Sequence, residues 1–66
     1  MLINKIYNGW VVTKAGREWT VVGRQKIRST TWILLKSGDD TRSYNRDQFI
    51  ADFDKGVIEY VRSESV

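Results

Sequence analysis

Apolar and polar residues alternate in short runs along most of this chain, and small polar clusters separate the runs. A period of two is the mark of extended strands with one buried face. Trp10 to Thr13 reads as a first strand, entered through Asn8 and Gly9, with Lys14, Ala15, Gly16 and Arg17 as the turn after it. Glu18 to about Ile27 is a second, longer strand in which Trp19, Val21 and Gly23 share one face and Thr20, Val22 and Arg24 the other. Gly23 in mid-strand predicts a bulge or bend, where a missing side chain relieves crowding. Arg28, Ser29 and Thr30 form the hairpin tip. Thr31 to Lys36 is the most apolar strand and is expected at the centre of the sheet, with Ile33 and Leu35 inward and Trp32 and Leu34 opposite. Ser37 to Asp40 is a turn of residues that tolerate left-handed geometry or bond their own backbone, and Thr41 to Tyr44 is a short fourth strand.

Beyond Tyr44 the period changes. Asn45 can cap a short helix, and Gln48 three places on can complete a reciprocal capping box. Phe49, Ile50 and Phe53 then fall on one side, Asp47 sits where the helix dipole favours an acid, and Gly56 ends the helix. Val57 to Val61 is a fifth strand. Residues 1–61 thus read as a single domain and 62–66 as a frayed tail. Five strands with a helix between the fourth and fifth is the order of an SH3-like barrel, so the expected fold class is mainly β with a five-stranded SH3-like barrel. Curling a sheet on itself would bury one face and reduce exposed edges. An oligonucleotide-binding barrel conventionally places its helix between the third and fourth strands, where this chain has only the turn at Ser37–Asp40.

Composition narrows the chemistry. A domain of about 60 residues buries only about 60% of the surface its unfolded chain exposes, and this one has no cysteine or histidine to staple it through disulfides or thiolate and imidazole metal sites. Three Trp, three Tyr and two Phe must supply the core. No apolar run is long enough to span a bilayer, and Met1 to Ile6 lacks the apolar stretch of a signal peptide, so no membrane partner and a cytoplasmic location are expected. Nucleophilic catalysis is left with Ser or Thr beside Lys or a carboxylate. Asp39 and Asp40 are adjacent in a turn, and Asp47, Asp52 and Asp54 lack the alternation of a calcium loop. No phosphate loop or dinucleotide fingerprint is present. The chain reads as a binder with no catalytic residues, no metal and no cofactor.

Charge changes the picture more. Residues 1–36 carry seven Lys or Arg and one acid, for +6, while residues 37–66 carry four basic and seven acidic side chains, for −3. A positive lobe focuses potential even in a nearly balanced molecule. If the second strand is continuous, Arg24 and Lys26 share a face with Arg28, and Lys14 and Arg17 border the patch. Such a patch suits phosphates, and Trp32 or Tyr44 would stack on bases while Arg42 meets the backbone. The rival reading is a protein-interaction strip of Val22, Trp32 and Leu34, where an outward tryptophan beside aliphatic neighbours is typical of interfaces. It would bind an acidic host protein or a second copy of the chain.

The run Gly16, Glu18, Trp19, Val21, followed by Thr31, Trp32, Ile33 and then Tyr44, Arg46, Phe49 and Phe53, resembles small SH3-like proteins carried by bacteriophages and related mobile elements. The resemblance spans most of residues 9–61. It implies a cytoplasmic accessory protein and no particular chemistry. The expectation taken into the structure is a small non-enzymatic protein that binds nucleic acid, DNA or RNA, through a basic hairpin, with protein interaction as the alternative.

Overall fold

The computed structural model describes residues 5–64. Strands β1 (Trp10–Lys14), β2 (Arg17–Ile27), β3 (Thr30–Ser37) and β4 (Asp40–Asn45) form an antiparallel meander, followed by helix α1 (Arg46–Lys55) and strand β5 (Ile58–Ser63). β5 returns antiparallel to β1, giving the order β4-β3-β2-β1-β5. The element boundaries agree with the hydrophobic pattern to within one or two residues. One difference is at the end, where β5 includes Arg62 and Ser63, so pairing extends into the stretch expected to fray. Ser65 and Val66, the rest of that stretch, lie outside the described residues.

The closed barrel is not formed. β4 and β5 each have a single strand neighbour and do not pair with one another, so the five-stranded sheet is open and does not curl back on itself. This overturns both the SH3-like fold class and the resemblance built on it. The physical reason lies in α1, which packs on β3, β4 and β5. Apolar surface that barrel curvature would have enclosed is covered by the helix instead, and among the described residues neither edge pairs with a further strand.

Residues directly opposite in a ladder share a face, and the registers define an inner, helix-bearing side. Val12 faces Trp19, Val21 faces Leu35, and Ile33 faces Tyr44. Val12, Val21, Ile33 and Leu35 join Ile6, Phe49 and Ile58 in the core, with Trp10, Trp19, Tyr44, Ile50 and Phe53 packed around them. Phe49 is fully enclosed.

The middle of β2 departs from strict alternation. Val21 pairs with Leu35 and Gly23 with Leu34, which leaves Val22 as the extra residue of a bulge. Gly23 therefore joins Val22 on the outer side, and Arg24 falls opposite buried Ile33 on the inner side. Strict alternation puts Gly23 with Val21 and Arg24 with Val22, so the predicted faces are reversed from this point on. Crowding is not the cause, because a Cβ on Gly23 would meet Leu34 Cδ1 at an ordinary 3.8 Å.

Local signals set the ends of α1. Asn45 Oδ1 accepts from the backbone N–H of Asp47 at 2.9 Å and of Gln48 at 3.3 Å. Among the described residues no hydrogen bond joins the Asn45 N–H back to Gln48, whose Nε2 donates along the helix to Asp52 Oδ1 at 2.8 Å. Gly56 closes the helix at φ 83°, a left-handed conformation that costs glycine little.

Candidate interaction surfaces

Two hairpin ends meet over the part of the inner face that α1 leaves uncovered. Lys14 and Arg17 are cross-strand partners at the β1–β2 turn, where Ala15 and Gly16 both take positive φ. Such consecutive left-handed residues suit the twist of a tight hairpin. Arg42 lies opposite Leu35, and Tyr44 opposite Ile33. Together with Trp19 these side chains surround a cleft of about 360 Å³. Four residues expected to contact a ligand, Lys14, Arg17, Arg42 and Tyr44, are thereby gathered in one place. The sequence did not assign Trp19 and Leu35 to this site, because both have the signature of core residues. The available signal was Arg17 two positions before Trp19, a spacing that places cation and ring on the same side of a strand.

The cleft is organised by cation–ring contacts. The Arg17 guanidinium lies 4.7 Å from the Trp19 ring centroid and that of Arg42 6.0 Å, while Lys14 Nζ lies 5.0 Å from the centre of Tyr44. Arg17 is further held by an ion pair to Asp40 at 2.7 Å and by hydrogen bonds donated to Ser37 Oγ at 2.8 Å and Ser37 O at 3.0 Å. The hydrogen bond and charge of Arg17 keep the Asp40 carboxyl below its ordinary range. Tyr44 donates its hydroxyl to Asp52 Oδ2. Burial first, and then the carboxylate of Asp52, push the Tyr44 phenol up to about 12. The same hydrogen bond, with that from Gln48, holds Asp52 below its usual value.

The basic row expected along β2 has a different geometry. Arg24, turned inward by the bulge, donates to the carbonyl of Ile6 and lies 3.3 Å from Asn8 Oδ1. Lys26 follows it on the inner side opposite Thr31, exposed near the hairpin end. Arg28 is beyond the strand, in the turn, at φ 58°. The three cations therefore do not emerge from one continuous extended segment, and they lie apart from the cleft that holds Lys14, Arg17 and Arg42.

The outer side carries the apolar strip. Val22 and Gly23 sit against Leu34, and Trp32, opposite Gln25, follows two residues along β3. Val22 is 43% exposed and Ile27, farther along the same arm, 50%, while Trp32 and Leu34 are half-buried. The one helix among the described residues packs on the other side. A separate aromatic cluster lies near the start of β1, where Trp10 contacts Tyr7, Phe53 and Tyr60 with ring centroids 5.9, 6.2 and 5.2 Å away. Tyr7 and Tyr60 in it are about half exposed.

Among the described residues no group of three or more carboxylates gathers in a way that would hold a metal ion, and no helix is long and apolar enough to cross a membrane. No family model, no curated protein and no solved structure matches this chain.

Proposed function

We propose that this domain is a protein-interaction module that acts by binding alone, in the cytoplasm, through the outer strip of Val22, Trp32 and Leu34. The supporting observation is the exposure of apolar side chains on the β2–β3 arm, on the side of the sheet opposite α1. In a domain this small such surface is costly to leave in water. Tryptophan beside aliphatic neighbours is also the residue type that concentrates binding energy in interfaces. The polyanion reading has less support, because Arg24 is turned onto the chain's own backbone and Arg28 leaves the strand.

Affinity capture with the tagged domain tests the proposal. A partner should survive nuclease treatment, depend only modestly on salt, and be lost in Trp32→Ala and Val22→Lys variants that retain the native circular dichroism spectrum. Retardation of DNA or RNA at about 50 mM salt, abolished by charge reversal at Arg24 and Lys26, would show a polyanion binder instead. Capture that persists in both variants would remove the strip from the mechanism. Self-association is checked by sedimentation, where a monomer at high concentration excludes a second copy as the partner.

A further inference from the structure

The cleft on the inner side differs in chemistry from the strip on the outer side. Its surface combines Trp19 and Leu35 with three cations, Lys14, Arg17 and Arg42. Arg17 is engaged with Asp40 and Ser37. Among the described residues the other two make no ion pair with a carboxylate: Arg42 donates a 3.2 Å hydrogen bond to the neighbouring carbonyl of Thr41, and Lys14 rests over the Tyr44 ring. The carboxylates nearest to them are occupied, Asp40 by Arg17 and Asp52 by Tyr44 and Gln48. Two cations thus flank apolar surface without an ion pair of their own among the described residues, Arg42 interacting with Asp40 and Lys14 with Asp52 only through charge at longer range. Arg42 lies on β4, an edge of the sheet that pairs with no further strand among the described residues.

We propose that this cleft binds an acidic peptide segment of the partner protein. The segment lies extended along β4, sets one aromatic or large aliphatic side chain against Trp19 and Leu35, and places flanking carboxylates on Arg42 and Lys14. Each part of the ligand answers a feature of the site. A volume of about 360 Å³ is at the small end for a ligand pocket and suits a side chain or two. The guanidinium of Arg42, near the Trp19 ring, presents the planar fork that carboxylates accept in bidentate fashion. The free edge of β4 offers backbone donors and acceptors that a peptide can pair with and a sugar–phosphate chain cannot match in register. Alternate peptide residues would then point toward the cleft, so acids on either side of an apolar residue at spacings of two meet both cations. The proposal rests on the protein-interaction reading and names the chemistry of the partner.

Titration of the intact domain with a fluorescein-labelled peptide, GDEFEDG, tests it by fluorescence polarisation and by backbone and indole NMR shifts. The basic peptide GKKFKKG and a hexathymidylate serve as comparisons. Saturable binding is expected with a Kd below about 1 mM, with shifts centred on Trp19, Arg42 and Lys14 and no comparable response to the basic peptide. Arg42→Glu and Lys14→Glu should each weaken binding about tenfold, a loss of about 1.4 kcal/mol, and Lys14→Gln less. Lys36→Glu, the same change of charge on the opposite side of the sheet, should leave peptide affinity unchanged. Absence of saturable binding would overturn the proposal, as would equal affinity in the Arg42→Glu, Lys14→Glu double variant, shifts centred on Trp32, or tighter binding of hexathymidylate. If the peptide fails to bind while Trp32-dependent capture of a partner persists, this proposal falls alone; loss of both removes the interaction reading as well.

Discussion

Tyr44 ties the fourth strand to the helix in two ways. Its ring meets Phe49 edge-on, with centroids 5.8 Å apart at 87°, and its hydroxyl donates to Asp52 on α1. Burial and that carboxylate raise its pKa from 10.0 to about 12. A folded-state pKa above the unfolded value means that the protonated phenol stabilises the fold. That contribution is complete below pH 10.0 and disappears as pH rises through about 12. Alkaline spectrophotometric titration should show one phenol ionising near pH 12 together with loss of native structure, and Asp52→Asn should bring that ionisation down. Asp52 has the opposite sign: its pKa is lowered from 3.8, so its contribution is present above that pH and declines as the carboxylate is protonated below it. Trp19 shows how a residue with a core signature becomes part of a site. It packs on the core and also lines the cleft, with Arg17 and Arg42 against its ring.

At the scale of elements, the helix cap separates two side chains that a capping box would treat as equivalent. Asn45→Ala should lower stability by about 1 kcal/mol, because Asn45 Oδ1 is the acceptor for two N–H groups at the start of α1. Gln48→Ala should leave that cap intact and act only through the exposed hydrogen bond to Asp52. Urea unfolding of the two variants checks the difference. Much of the element layout was legible in the sequence, because alternation, turn residues and caps act over a few positions. Ile33 and Leu35 inward, Asn45 at the cap and Gly56 at the helix end are all local statements of this kind. The barrel was not legible. Whether β4 and β5 pair depends on strand curvature and on what covers the inner face, and alternating residues read the same in an open sheet under a helix. The facing of Arg24 was lost for a related reason: Gly23 pointed to a bulge, but only the pairing with Leu34 shows which residue is the extra one. Of the candidate site, Lys14, Arg17, Arg42 and Tyr44 could be named from charge and aromatic type. Their convergence on Trp19 needs the two hairpin ends brought together.

For the molecule as a whole, stability is concentrated in a few side chains. A chain of this length has only about 3–10 kcal/mol to lose, and Phe49, fully enclosed, touches both helix and sheet. Phe49→Ala should cost about 3–5 kcal/mol and leave much of the population unfolded at room temperature, read as loss of cooperative thermal melting. The charge imbalance between the two halves of the sequence is partly relieved across the fold. The pair that acts in this direction is Arg17 with Asp40; Arg62, from the acidic half, pairs with Glu18 at 3.3 Å and with Glu64 of its own half at 3.0 Å. These pairs are about half exposed, so each adds at most about 1 kcal/mol and leaves the potential around the cleft to Lys14 and Arg42. The bulge at Val22 also bears on which insertions and deletions a lineage of such domains could accumulate. Losing the codon for residue 22 would leave Val21 against Leu35 and Gly23 against Leu34, so each remaining side chain would keep its present side and only the bend would go. Losing a codon from the regular part of the same strand would transpose inside and outside for everything beyond it, bringing polar groups into the interior. Length variation in this arm should therefore be confined to the bulge.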